Sequence, residues 1–196
     1  MKYERLTLAG YQDLLPYQQQ ECDMINRFIK PDPRLKIRRR FRKLKLIEPK
    51  YTSLIDMTLE EYLHWSQKDK INRFYFENPA ITFKTLYGIK ERKVGRVNYY
   101  NAISISKWIN NELLFIRENE RKAFDSRPDP ELTKAGIHRL NIFGNYNLIS
   151  QLTNGELTKE EEILSIPYSR CLQYVAKKRI EAEIQRDLTD NQKQGQ

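Results

Sequence analysis

The chain has 196 residues, of which 35 are Lys or Arg and 26 are Asp or Glu, for a net charge of +9 and only seven glycines. This length allows one domain or two small ones, and the charged, glycine-poor composition predicts a mainly α protein. No apolar run approaches the roughly 20 residues of a membrane span, and the opening "MKYERLTLAGYQDLL" lacks the apolar core of a signal peptide, which excludes those two classes from the expectation.

Two similar marks, "KPDPR" at residues 30–34 and "RPDPE" at 127–131, each carry two prolines. Proline fixes its own φ and pushes the preceding residue towards extended backbone, so helices should not run through either. The expected division is an N-terminal helical segment over 1–30, a central basic helical domain over 34–127, a C-terminal helical block over 131–190 and a flexible polar tail over 191–196.

In the first segment, Leu8, Tyr11 and Leu15, then Met24, Ile25 and Phe28, fall at helical spacing on either side of Pro16. The stretch "RLKIRRRFRKLKLI" follows, over residues 34–47. Eight of its fourteen residues are basic and none is acidic, so nearly all of the net charge is local. Ile37, Phe41 and Leu44 recur at four and three, which predicts a basic amphipathic helix stopped by Pro49; Leu35 to Ile37 would also permit a short strand. Next, Thr58 with Glu61 forms a capping box, with Leu59, Tyr62 and Leu63 facing inward behind it. Residues 74–89, "FYFENPAITFKTLYGI", are aromatic and β-branched. They predict a small strand or aromatic-loop insertion around 74–97, with "IKERKV" between Gly88 and Gly95 as a turn or hairpin tip. Residues 98–124 hold the strongest helical pattern, an apolar stripe of Ile105, Ile109, Leu113 and Ile116 widened by Trp108.

In the C-terminal block a helix should end at Asn154-Gly155. Thr158 with Glu161 is a second candidate capping box, and Pro167 opens a long helix whose apolar side runs through Tyr168, Leu172, Val175, Ile180, Ile184 and Leu188. The expected fold is therefore mainly α, in bundle-like blocks with the small insertion around 74–97.

Catalytic chemistry finds little support. Only His64 and His138 could serve as imidazole bases, and neither lies in a nucleophile signature. There is no closely spaced glycine loop for phosphate. The acidic runs at Glu60-Glu61 and at residues 160–162 sit at expected helix starts, where negative charge complements the dipole. Cys22 and Cys171 match no zinc or redox spacing and read as reduced, partly buried thiols. No cofactor and no metal is expected. The one candidate site is the basic stretch: Arg34, Lys36, Arg38, Arg39, Arg40, Arg42, Lys43 and Lys45, able to meet nucleic-acid phosphate or an acidic partner surface.

The C-terminal sequence "LISQLTNGELTKEEEILSIPYSRCLQYVAKKRIEAEIQRDL" resembles small helical assembly proteins of tailed bacteriophages, in which an apolar helix ends in Asn/Gly, a short capped helix follows, and Pro-Tyr opens a longer charged helix. Here those features fall at Asn154-Gly155, at Thr158 with Glu161, and at Pro167-Tyr168. The opening "YERLTLAGYQDLL" is similar to the start of such proteins. The resemblance implies a non-enzymatic role in building a virion, as a tail or neck component or a tail-assembly chaperone. Its partners would be other phage structural proteins in a homo- or hetero-oligomer, in the host cytoplasm during assembly or in the particle. The basic stretch departs from the chaperone pattern and keeps an alternative open: a DNA-binding accessory or regulatory protein using residues 34–45.

Overall fold

A computed structural model of the chain describes residues 6, 7, 10, 11, 13–38, 44–66, 79–125 and 130–194. With 73% of residues helical and 7% in strands, the mainly α expectation holds. The chain separates into two compact units, Met1–Leu54 with Lys68–Leu114, and Ile55–Gln67 with Phe115–Gln196. These cuts do not follow the proline marks.

The first unit contains α1 (Pro16–Asn26), β1 (Leu35–Arg38), β2 (Leu44–Ile47), α2 (Pro79–Tyr87) and the first part of a long helix, α3 (Tyr99–Phe124). Proline at the first position of α1 loses no helical hydrogen bond there, and the Gln18 side-chain oxygen accepts the Leu15 N–H at 3.0 Å. β1 and β2 form an antiparallel ribbon in which Leu35 pairs with Ile47, Lys36 with Leu46, Ile37 with Lys45 and Arg38 with Leu44. This corrects the expected basic helix. "LKIR" and "LKLI" alternate apolar and basic residues with period two, as a half-buried strand does, and Leu35 is wholly buried.

The expected insertion around 74–97 is also corrected. Residues 79–87 are helical, a 3-10 turn spans Glu91–Arg96, and residues 74–78 lie outside the described residues. Phe83, Leu86 and Tyr87 are buried at helical spacing, so packing overrides their aromatic and β-branched composition. α2 stops at Gly88, whose φ of +63° is the left-handed conformation that glycine adopts without steric cost. The core collects Cys22, Leu35, Leu54, Phe83, Leu86, Val97 and Ile105. Tyr11 stacks on Tyr99 at 4.1 Å, and the Tyr99 N–H donates to the Leu6 carbonyl at 2.9 Å, fixing the N-terminal residues to the start of α3.

Between α1 and β1 the chain forms no regular structure, and its carbonyls are met by side chains. Lys107 Nζ donates to the carbonyls of Asn26 and Ile29 at 2.5 and 2.8 Å. Ser104 donates to the Lys30 carbonyl at 2.5 Å, and Tyr87 to that of Pro33 at 2.5 Å. Asn101, only 5% exposed, donates to the Arg34 carbonyl at 2.8 Å and accepts the Lys36 N–H at 2.5 Å.

The second unit contains α4 (Leu59–Ser66), α5 (Pro130–Ala135), α6 (Tyr146–Thr153), α7 (Glu160–Ser165) and α8 (Tyr168–Gln194), with residues 115–124 of α3. The Thr58–Glu61 capping box is present: the Glu61 N–H donates to Thr58 Oγ1 and the Thr58 hydroxyl contacts the Glu61 carboxylate, both at 3.3 Å. Its counterpart at Thr158 is not, because a 3-10 turn over Leu157–Lys159 leads into α7 and Lys159 takes the cap position without a side-chain bond. α6 ends where expected, with Asn154 and Gly155 at positive φ. The sequence before it is a 3-10 turn over Ile137–Phe143 and not a continuous helix. α8 runs to Gln194, so residues 191–194 of the expected tail are helical, and the last two lie outside the described residues.

A buried cluster joins α3, α4 and α8 within this unit. Tyr62 stacks on Tyr168 at 3.8 Å, and both phenols donate to one oxygen of Glu120, that of Tyr168 at 2.7 Å. Burial, reinforced by the adjacent carboxylate, pushes both phenols above the ordinary tyrosine range. The folded chain therefore holds these protons longer than the unfolded chain, so stability contributed here is full below about pH 10 and declines above it. Glu120→Ala, which leaves two phenols without an acceptor, should cost about 2 kcal/mol. Glu120→Gln, which keeps one oxygen acceptor, should cost distinctly less. Urea unfolding at neutral pH checks the order of the two variants.

Candidate interaction surfaces

The basic ribbon is rooted by what lies beneath it. Asn101 presents an amide to the free edge of β1, satisfying the Arg34 carbonyl and the Lys36 N–H as a neighbouring strand would. An isolated bridge between Ile37 and Val97 extends the contact. The pairing puts Lys36 on the same face as Leu46, which is 54% exposed, while Leu35 lies on the buried face. Lys45 is exposed and Lys36 partly so.

Arg34 does not present a free charge. Its guanidinium makes a bidentate pair with Asp32, at 2.9 and 3.0 Å, and that hydrogen bonding holds the Asp32 carboxyl below its usual range. Arg38 closes the strand pairing opposite Leu44. Arg39, Arg40, Arg42 and Lys43, with Phe41, lie outside the described residues. The structure thus brings Arg34, Lys36 and Lys45 to one hairpin, with Asp32 as a local counter-charge that inspection of the basic run alone misses.

The residues considered for catalysis are not assembled into a site. His64 and His138 are exposed. Cys22 and Cys171 are wholly buried free thiols, and burial pushes the Cys171 thiol up to about 11, so it is protonated at neutral pH. Among the described residues, no group of three or more His, Cys, Asp or Glu could hold a metal ion, and no helix is long and apolar enough to cross a membrane. A groove of about 530 Å³ in the second unit is lined by Ala123, Phe124, Tyr174, Val175, Lys178 and Arg179 among others. Arg179 donates there to the carbonyls of Lys122 and Asp125, so its charge caps the end of α3.

The second unit also exposes apolar side chains in two places. The first is the 3-10 turn, where Ile142 is 82% exposed and Ile137, Leu140 and Phe143 about half. The second is the distal part of α8. Its proximal apolar residues Tyr168, Cys171 and Leu172 are buried, whereas Ile180, Ile184 and Leu188, four residues apart, are each about half exposed. The apolar side expected along this helix is therefore continuous in sequence and divided in burial. Compared with protein-family models, curated proteins and solved structures, the chain matches none.

The Arg34–Asp32 pairing sets a measurable direction. Asp32→Asn should raise the salt concentration at which the folded chain leaves a polyanion column, because it unmasks Arg34. Lys36→Gln and Lys45→Gln should each lower it.

Proposed function

We propose that the chain is a non-enzymatic assembly protein that works through protein–protein contacts. Given its resemblance to small helical assembly proteins of tailed bacteriophages, we infer a role as a tail or neck component or a tail-assembly chaperone. The observation that carries the reading is the exposed apolar surface of the second unit, on the turn over Ile137–Phe143 and on distal α8. Contiguous apolar surface of this kind marks interaction sites on soluble proteins, and its aromatic and aliphatic side chains are the type that anchors interfaces. A tagged chain isolated from cells assembling particles should co-purify with a tail, neck or portal subunit. Ile142→Asp combined with Ile184→Asp should abolish that recovery without unfolding the chain. Recovery unaffected by the double variant contradicts the reading.

The basic ribbon favours a second reading, a DNA-binding accessory or regulatory protein. An antiparallel two-stranded ribbon fits the major groove of DNA, and the stretch from Arg34 to Lys45 holds eight cations and no acid. If this reading is right, retention on duplex DNA falls steeply between low and moderate salt, and replacing Arg38, Arg39, Arg40 and Arg42 with Ala removes it. Retention that survives those four replacements rules it out.

A further inference from the structure

The two exposed apolar surfaces of the second unit differ in shape and in charge. The turn over Ile137–Phe143 is short and bounded by Gly136 and Gly144, both at positive φ. No Asp or Glu occurs between Glu131 and Glu156, while Lys134, His138 and Arg139 do. The surface is therefore apolar and basic. Distal α8 presents a ridge. Ile180, Ile184 and Leu188 follow the i, i+4 row along which helices seat against partners. Glu181 and Asp187, three residues before and after Ile184, border that row on either side. At its proximal end Lys177 lies 3.6 Å from Glu181. Lys178, Arg179 and Arg186 fall further round the helix, away from the row. The ridge is apolar with an acidic rim.

We propose that these surfaces are the two halves of one interface between copies of this chain: the basic apolar turn of one copy seats on the acid-rimmed ridge of α8 of the next, bringing Lys134 and Arg139 against Glu181 and Asp187. Both halves stay exposed within a single copy, and their opposite charges select each other over like pairing. The contact is heterologous, because the surface given differs from the surface received. Repetition therefore builds a ring if the rotation closes and a filament if it does not. The inference rests on the reading of the chain as an assembly protein and adds the partner and the polarity of the contact.

Sedimentation velocity of the purified full chain tests it independently of any other subunit. Wild type should form species larger than a dimer as its concentration rises. Ile142→Asp damages only the turn and Ile184→Asp only the ridge. Each alone should weaken association about tenfold or more. Mixed, they retain one intact turn and one intact ridge and should form a one-to-one pair and nothing larger. Circular dichroism confirms that each variant is folded. Should either fold poorly, the charge reversals Lys134→Glu with Arg139→Glu, and Glu181→Lys with Asp187→Lys, make the same comparison, with association lost in each and regained on mixing. A wild type that stays monomeric overturns the proposal. So does normal association by the Ile142 variant, which indicates ridge-to-ridge pairing, or a mixture that forms no pair. The subunit-recovery experiment can fail while this one succeeds, and the reverse, so the two claims are separable.

Discussion

Three polar side chains on one face of α3 organise the first unit. Asn101, Ser104 and Lys107 are spaced by three, so they project from successive turns towards the segment that joins α1 to β1. That segment holds Pro31 and Pro33, which carry no N–H and cannot join a helix or the interior of a sheet. Its backbone carbonyls would otherwise enter the unit without partners, at about 1–3 kcal/mol for each one left unmet. Lys107 meets those of Asn26 and Ile29, Ser104 that of Lys30, and Asn101 that of Arg34. Tyr87, from α2, meets that of Pro33.

The same polar row decides where the positive charge of the molecule is displayed. By bonding both the Arg34 carbonyl and the Lys36 N–H, Asn101 fixes β1 in register, and the pairing of β1 with β2 fixes the rest of the ribbon. A strand register cannot slip by one residue without moving Leu35 out of the core and Lys36 into it. The basic surface thus depends on three neutral or internally satisfied contacts beneath it. In the second unit the Glu120 oxygen shared by Tyr62 and Tyr168 plays a comparable part, tying α4 and α8 to the end of α3.

Much of the helical structure was legible in the sequence, and the exceptions share a cause. The helix expected over residues 98–124 is observed at Tyr99–Phe124, and its stripe of Ile105, Ile109, Leu113 and Ile116 is buried, because a long stripe of constant period has only one consistent reading. The Thr58–Glu61 cap was legible because both partners lie within four residues. The basic stretch was misread because Ile37, Phe41 and Leu44 suit a helix while "LKIR" and "LKLI" suit strands, and the arbiter, Asn101, lies 65 residues from Lys36. The apolar side of α8 was legible as a pattern. Periodicity alone does not tell which of its residues the same chain covers, so the division between buried Leu172 and exposed Ile184 became visible only with the fold.

The account rests most directly on Asn101 as the anchor of the ribbon, and amide hydrogen exchange on the wild type and on Asn101→Ala tests it. Alanine suits the interior of a helix, so amides of α3 should keep their protection in the variant. The Lys36 amide and the amides that pair β1 with β2 should exchange much faster. Unchanged protection across Leu35–Arg38 and Leu44–Ile47 in a folded Asn101→Ala protein would contradict the account.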